Sequence, residues 1–187
     1  SEVVILVSGS AGLLGRELVR QLAAGGERVR GIDLSAVPLP GGVDPCIGDL
    51  LDAGACRRAC AGVRTVVHTA ARQHHSGVPR WGRERFFAAT VEMTRNLLEA
   101  WLCVGARHFV LVSSDMVYGL PPGRPLTEGD PPRPIGPYGR SKLGSEEVCV
   151  AARGRGMRVT ILRPRLIVGP GRLGILHKLF ERIRLGR

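Results

Sequence analysis

The stretch VVILVSGSAGLLG at residues 3–15 decides the fold, because an apolar strand-like run leads directly into a glycine-rich turn. Gly9, Gly12 and Gly15 permit a tight turn, let a pyrophosphate approach the backbone and allow a helix to pack closely on a strand. The helix predicted to follow would present unpaired N–H groups and the positive end of its dipole to the same phosphates. The stretch is typical of a dinucleotide-binding turn, although a purely structural turn can use the same glycines.

Outward from this turn, Val/Ile-rich runs alternate with helical patterns along the chain. Nearly continuous apolar runs are expected of strands that are covered on both faces. The predicted strands lie near residues 3–8, 28–32, 64–68, 107–113 and 158–163, and the predicted helices lie over 12–24 and 83–104. This order predicts one α/β domain, a doubly wound parallel sheet of the Rossmann type in three α/β/α layers.

The composition is that of an ordinary globular protein. With 187 residues, 44% hydrophobic and 23% charged, the chain is neither disordered nor collagen-like. No apolar run approaches the ~20 residues of a membrane span, so we expect no membrane partner. We also expect no secretory signal, because no basic segment precedes the first apolar run, although a signal that had been removed would leave no trace. Five cysteines without a CxxC pair are interpreted as reduced thiols of a cytoplasmic protein.

The positive charge is concentrated at one end of the chain. The formal net charge is +11, and residues 150–187 contribute ten basic side chains against one acidic side chain. Arginine-rich usage beside abundant Ala and Gly is also typical of a GC-rich genome. The charge alone leaves nucleic acid, a phosphate-bearing substrate and an acidic partner surface open.

Two acidic side chains follow predicted strand-like segments. Asp33 closes the second strand 18 residues after Gly15, where a carboxylate would accept hydrogen bonds from an adenosine ribose and repel a 2′-phosphate. This position favours NAD. Asp49, in the sequence Gly48-Asp49-Leu50, could lie near the adenine amine. Both side chains could also be simple turn acids.

A tyrosine and a lysine share one face of a predicted helix. Tyr138 and Lys142 stand four residues apart just after Pro137, so their side chains meet on that face. An ammonium beside a phenol favours the phenolate, which makes tyrosine, with its ordinary pKa of about 10, a usable acid/base. The segment that contains Ser113 and Ser114 leaves the end of a predicted strand, where a serine hydroxyl could hold a substrate oxygen. Taken alone, a Tyr/Lys pair at this spacing is more often a solvated face.

Together these segments resemble the extended short-chain dehydrogenase/reductases, also called the NAD-dependent epimerase/dehydratase family. The matching segments are GSAGLLG, Asp33, GDL at 48–50, HTAA at 68–71, TVEMTRNLLEA at 90–100, VSSDMVYG at 112–119, YGRSK at 138–142 and RPRLIVGPG at 163–171. They occur in order along nearly the whole chain.

The resemblance implies that a hydride passes between NAD and a substrate carbinol. Tyr138 would be the acid/base, Lys142 would bind the nicotinamide ribose and activate the phenol, and Ser114 would polarise the substrate oxygen, with Ser113 as its rival. The cofactor would be bordered by Gly9, Gly12, Leu13, Leu14, Gly15, Asp33, Asp49, Leu50, Ala70, Ala71, Tyr138, Lys142 and Pro164.

Two departures from the family pattern bear on the substrate. Asp115 matches the acid of sugar 4,6-dehydratases, but Met116 stands where those enzymes keep a glutamate, so water elimination by that route is not expected. Leu166 stands where many nucleotide-sugar enzymes have an asparagine against the substrate diphosphate. Leu166 favours an apolar alcohol, whereas the segment GPYGRSKLGSEE and the loop at Thr127-Glu128 are typical of sugar epimerases.

Further candidates concern the substrate and the end of the chain. We expect Ser114, Asp115, His74, Arg165 and Arg172 to border the substrate, and no metal site, since no ligand spacing surrounds the histidines. We expect residues 1–173 to form the NAD-binding Rossmann domain, and residues 174–187 to begin a substrate-binding region that is largely missing. The resemblance also implies a homodimer built from helix pairs.

Three functions are therefore considered. The first is an NAD-dependent oxidoreductase or epimerase acting on a nucleotide sugar. The second is an oxidoreductase that resembles 3β-hydroxysteroid dehydrogenases or reduces ketones with NAD or NADP. The third is a dinucleotide-binding protein without turnover, whose basic end could contact RNA or another acidic partner. For the chain as a whole, a nucleic acid partner is not favoured.

Overall fold

One parallel sheet organises the part of the chain that the structure describes. The structure is a computed structural model that describes residues 4–36, 38–72, 82–169 and 175–186. Its strands are β1 (Val4–Ser8), β2 (Arg28–Asp33), β3 (Asp44–Ile47), β4 (Val63–His68), β5 (His108–Val112) and β6 (Val159–Leu162). They lie in the order β3-β2-β1-β4-β5-β6, and every neighbouring pair is parallel.

The strand order reverses at β1. The chain steps outward from β1 to β3 and then returns to place β4 on the other side of β1. In open α/β sheets this reversal leaves a crevice beyond the carboxyl ends of the two central strands. The predicted doubly wound parallel sheet is confirmed, and the topology already marks where a ligand would bind.

Helices cover both faces of the sheet. They are α1 (Leu13–Ala24), α2 (Ala53–Cys60), α3 (Arg83–Cys103), α4 (Gly136–Arg153) and α5 (Ile175–Arg184). On one face, Val19 of α1 packs against Val7 and Val29 of the sheet. On the other face, α2, α3 and α4 build the larger core around Leu6 and Phe109. The helices predicted over 12–24 and 83–104 are confirmed to within a residue at each end.

The edge strand β3 was not among the strands predicted from the sequence. It has only four residues, Asp-Pro-Cys-Ile, and its side chains are largely exposed. Such a segment shows neither a continuous apolar run nor a clear alternation. Pro45 is compatible with this position, because an edge strand leaves one side of its backbone unpaired.

All five cysteines are free thiols, as expected for reduced residues. Cys56 and Cys60 lie one turn apart on α2, and burial raises their pKa values to about 11 and about 12. Both therefore behave as small apolar core residues at neutral pH. Among the described residues, no helix is long and apolar enough to cross a membrane.

A buried hydrogen-bonded chain connects β1, β4, α3 and α4. Ser8 Oγ lies 2.6 Å from His68 Nδ1, and His68 Nε2 lies 3.1 Å from Thr94 Oγ1. Thr94 Oγ1 in turn lies 3.0 Å from Ser145 Oγ. Burial, with repulsion from Lys142 as a smaller cause, lowers the pKa of His68 to about 3. The imidazole is therefore neutral in the folded protein, with one nitrogen donating and the other accepting.

We expect the free energy of unfolding to decrease as the pH falls from about 7 to about 5, by roughly 1.4 kcal/mol per pH unit below the ordinary histidine pKa. The unfolded chain protonates His68 near 6.5, whereas the folded chain keeps it neutral down to a pKa of about 3. Neutral His68 makes its full contribution to the free energy of unfolding above pH 6.5, and this contribution is lost as the pH falls from 6.5 toward 3. Urea denaturation at several pH values measures it.

Two histidine variants test whether His68 causes this dependence of the stability on pH. His68→Asn should flatten the dependence, while His108→Asn, at a half-buried histidine on β5, should keep most of it. Equal slopes for His68→Asn and the unsubstituted chain would contradict the assignment.

Candidate active site

A cavity of about 650 Å³ lies beyond the carboxyl ends of the strands, at the crevice created by the strand order. Every predicted cofactor residue lines it: Gly9, Gly12, Leu13, Leu14, Gly15, Asp33, Asp49, Leu50, Ala70, Ala71, Tyr138, Lys142 and Pro164. The cavity has the size of a small-molecule site. Eight separate segments of the chain, from residue 9 to residue 167, thus meet around one space.

The glycine-rich turn is built by close contacts between backbones. A Cβ at Gly15 would lie 2.1 Å from the carbonyl oxygen of Gly9, and a Cβ at Gly9 would lie 2.9 Å from the backbone of Ala70. Gly9 also has a φ of 75°, which glycine adopts without strain. Gly12 caps α1 without a side chain, so no side-chain cap satisfies the first N–H groups of the helix, and residues 12–15 at this helix end line the cavity.

Asp33 lies at the end of β2, where it is tied to the turn. One carboxylate oxygen accepts a hydrogen bond from Ala11 N at 3.0 Å, and the other accepts from Ser35 N at 3.3 Å. Asp49 accepts from Leu51 N at 2.9 Å and lines the same end of the cavity. Both carboxylates are held by backbone N–H groups and keep lone pairs for hydroxyl or amine donors.

The tyrosine and lysine of α4 lie together at the opposite end of the cavity from these acids. Lys142 Nζ lies 6.0 Å from the centre of the Tyr138 ring and donates to Val112 O at 2.9 Å. The ring of Phe87 packs edge-on against Tyr138, with the ring centres 5.7 Å apart. Lys142 is almost fully buried, and this desolvation lowers its pKa to about 8, against a smaller opposing effect of Glu146.

Gly139 allows the start of α4 to lie close to the turn that Ser114 caps. A Cβ at Gly139 would lie 2.6 Å from Met116 O, so only glycine allows the start of α4 to pack on the 3₁₀ turn Asp115–Val117. Ser114 caps this turn and accepts from Met116 N at 3.2 Å. Ser113 also lines the cavity, but its Oγ is buried and has no hydrogen-bond partner among the described residues. The two serines thus differ in their contacts: Ser114 Oγ is held by Met116 N, whereas Ser113 Oγ is buried without such a partner among the described residues.

The predicted substrate residues divide into three groups. Ser114 and Arg165 line the cavity. Asp115 stands at its rim, near Ser114 Oγ at 3.4 Å and near Arg165 Nε at 3.9 Å. His74 and Arg172 lie outside the described residues. In the part of the chain that the structure describes, no three His, Cys, Asp or Glu side chains gather as a metal site would require.

Two residues at the site had no assigned role from the sequence. Arg72 lines the cavity, its guanidinium lies 5.5 Å from the centre of the Phe86 ring, and its backbone N–H donates to Thr90 Oγ1. Arg163, directly before Pro164, forms a two-point ion pair with Glu146. Arg72 could have been suspected because it follows Ala70-Ala71; the partner of Arg163 could not, since it lies 17 residues away.

Comparison with known proteins identifies the relatives of this chain. The model of the NAD dependent epimerase/dehydratase family matches residues 5–187. A 3β-hydroxysteroid dehydrogenase/Δ5→4-isomerase of Mycobacterium tuberculosis is 34% identical over 97% of this chain and 52% of its own length. The chain thus spans about half the length of the curated relatives it matches.

Two similar solved structures also contain bound NAD. A short-chain dehydrogenase/reductase superfamily protein of Agrobacterium tumefaciens with bound NAD is 41% identical, with a TM-score of 0.76 over 86% of this chain and 48% of that protein. The dTDP-glucose 4,6-dehydratase of Streptomyces venezuelae, also with NAD, is 30% identical, with a TM-score of 0.85 over 98% of this chain and 63% of that protein.

We expect Gly15→Ala to destabilise the protein by about 2–3 kcal/mol, because the added methyl group overlaps a backbone oxygen that no rotamer change can move. Gly41→Ala is the matched control, since a Cβ there meets nothing within 4 Å. Urea denaturation measures both variants. Equal midpoints would contradict the contact between Gly15 and Gly9.

Proposed function

The chain belongs to the NAD-dependent epimerase/dehydratase family, and we propose that it uses NAD to oxidise or reduce a substrate at a carbinol carbon. One observation carries this proposal: Ser114, Tyr138 and Lys142 line the same cavity as the glycine-rich turn. A protein that only binds a dinucleotide has no need of all three.

The residues of the cavity fit NAD. Gly9 and Gly15 let the backbone of the turn pack closely on itself and on Ala70, and the turn lines the cavity at the start of α1, where a pyrophosphate could bind the first N–H groups of the helix. We assign the adenosine half to Asp33 and Asp49, whose carboxylates can accept from hydroxyl and amine groups. We assign the nicotinamide half to the end lined by Lys142 and Pro164. Bound NAD supplies the hydride chemistry.

The proposed steps of the protein itself are proton movements. Tyr138 takes the proton of the substrate hydroxyl during oxidation and returns it during reduction. Lys142, held by Val112 O beside the ring, favours the phenolate electrostatically and binds a ribose hydroxyl. Ser114 Oγ orients the substrate oxygen. Met116 carries no acid, so we propose no elimination of water through that position.

For the substrate, we propose a nucleotide sugar. The dTDP-glucose 4,6-dehydratase bears a close structural likeness to this chain, and the exposed side chain of Arg165 at the rim of the cavity is suited to a substrate phosphate. In the epimerase form of this proposal, a keto sugar rotates in the site before it is reduced on its other face.

A second candidate is an apolar alcohol such as a hydroxysteroid. Met116, Leu166 and Ile167 line the cavity, and each remains partly exposed, which would suit a hydrocarbon surface. The relative from Mycobacterium tuberculosis is named as a hydroxysteroid dehydrogenase. We propose residues 1–173 as the cofactor domain and residues 174–187 as the start of the substrate-binding region.

We also propose a homodimer. A groove of about 270 Å³ runs between α3 and α4. It is lined by Arg95, Leu98, Glu99, Leu102, Val148, Ala151, Ala152 and Arg155. The same helices from a second copy could cover these side chains.

Asp33→Asn should weaken NAD binding about tenfold, because a neutral acceptor binds the ribose hydroxyls less strongly than a carboxylate. Binding of NADP should change much less, since the repulsion of its 2′-phosphate is removed as well. Calorimetric titration with both dinucleotides measures the ratio. Asp52→Asn is the control, because Asp52 caps α2 away from the cavity and asparagine caps equally well. An unchanged ratio in Asp33→Asn would contradict the assignment.

Turnover tests the function itself. The full chain is supplied with NAD and, in turn, a dTDP-hexose, a UDP-hexose and a 3β-hydroxysteroid. Dinucleotide absorbance reports net oxidation or reduction, and chromatography of the sugar reports epimerisation, which leaves NAD unchanged overall. Tyr138→Phe should lose about 10²–10⁴-fold in rate while keeping its affinity for NAD. Reaction with the steroid alone would select the second candidate. Binding of NAD with no turnover of any substrate would leave a dinucleotide-binding protein.

A further inference from the structure

A buried ion pair lies one helical turn behind the reactive lysine. Glu146 follows Lys142 by four residues on α4, and only 3% of its side chain is exposed. Arg163 donates to both carboxylate oxygens, through Nε at 3.0 Å and Nη2 at 2.6 Å. The contact with Glu146 raises the pKa of Arg163, so the guanidinium stays charged. The pair joins the end of β6 to the middle of α4.

The ion pair of Glu146 and Arg163 also contacts Tyr118, in a third segment of the site. Arg163 Nη1 donates to the hydroxyl of Tyr118, and the guanidinium lies 4.8 Å from the centre of the same ring. Tyr118 follows the 3₁₀ turn that Ser114 caps, and Arg163 precedes Pro164 at the cavity. Three segments that carry site residues are therefore fixed to one another by one cluster, made of Tyr118, Glu146 and Arg163.

Lys142 has few groups that favour its charge. Its direct hydrogen bond is to Val112 O, and burial disfavours the ammonium. His68 on β4 is neutral and adds no compensating charge. The elements around Lys142 carry further charged or titratable groups: Tyr138, Arg140, Glu146, Glu147, Cys149 and Arg153 on α4, Arg83, Glu84, Arg85, Glu92, Arg95, Glu99 and Cys103 on α3, Arg64 and His68 on β4, His108 on β5, Asp115 on the 3₁₀ turn and Arg163 after β6. Of these, Glu146 is the one that favours the charge of Lys142 electrostatically.

We propose that Glu146 is a positioning residue for the reactive pair. Its carboxylate supplies the negative charge that keeps Lys142 protonated beside Tyr138, and Arg163 sets how much of that charge Lys142 experiences. Asp115 is less suited to this task, because it stands at the rim of the cavity near the exposed Arg165. The proposal deepens the proposed function, since a neutral lysine could not favour the phenolate of Tyr138.

The two members of the pair have opposite predicted effects on Lys142. Glu146→Gln preserves the shape of the side chain and an acceptor for Arg163, but it removes the negative charge and leaves the guanidinium uncompensated. Arg163→Met removes the counter-ion and leaves the carboxylate free to act on the ammonium. A purely structural pair would lower the stability in both variants and would not move the titration of Lys142 in opposite directions.

The small number of lysines in the sequence allows Lys142 to be titrated directly. The chain contains only two lysines, Lys142 and Lys178. In a Lys178→Arg background, ¹³Cε-labelled lysine therefore gives a single NMR signal, whose shift with pH reports Lys142 alone. No ligand or turnover is needed, so failure here is distinct from failure to bind NAD, which calorimetry on the same sample measures separately.

In this background we expect Glu146→Gln to lower the titration midpoint of Lys142 by about one pH unit, and Arg163→Met to raise it by a similar amount. Glu147→Gln is the matched control: it is the same substitution at the next residue, whose side chain is exposed, and it should leave the midpoint unchanged. If one of these two variants fails to fold, the direction in which the titration midpoint of Lys142 shifts in the other variant still tests the proposal.

An unchanged midpoint in a folded Glu146→Gln or Arg163→Met protein overturns the proposal, and so does a shift of equal size in Glu147→Gln. Opposite shifts in the two pair variants, with no shift in the control, support it.

Discussion

The whole crevice depends on the contact of the Gly9 carbonyl with the backbone at Gly15, where no side chain fits. This contact sets α1 close against the carboxyl end of β1 and points its first N–H groups into the space beyond the sheet. Asp33 joins the same unit, because its carboxylate accepts from Ala11 N within the turn. The direction of α1 and the position of Asp33 therefore follow from one steric constraint, a close approach of two backbone segments that requires glycine.

The other half of the cavity is organised by one face of α4. Tyr138, Lys142 and Glu146 stand at successive turns, so one face carries the phenol, the ammonium and a buried carboxylate. Gly139 allows this helix to pack on the turn of Ser114, since any side chain would meet Met116 O. A lysine buried to this extent is electrostatically costly. Its surroundings are therefore part of the chemistry of the site: the carbonyl of Val112 binds the ammonium, and Glu146 opposes the effect of burial on its pKa.

The excess of positive charge has partly a structural explanation. Arg163 is engaged with Glu146 and Tyr118, and Arg153 donates to Val159 O next to the last strand. Arg165, by contrast, projects from the rim of the cavity with 92% of its side chain exposed. The basic end of the chain thus combines arginines that hold β6 against α4 with at least one whose side chain is exposed at the rim of the cavity. The arginines that make these internal contacts are therefore explained by the fold, without a nucleic acid surface.

The sequence by itself determined the parallel sheet, the glycine-rich turn and the identities of Asp33, Ser114, Tyr138 and Lys142, because each depends on local spacing along a strand, turn or helix. It did not predict β3, whose four exposed residues lack an apolar pattern. It also gave no partner for Arg163, since that partner lies in a distant segment. Only the tertiary structure decided these two points: pairing at a sheet edge and a buried ion pair are set by contacts across the fold, and such contacts leave no periodic signal in the chain.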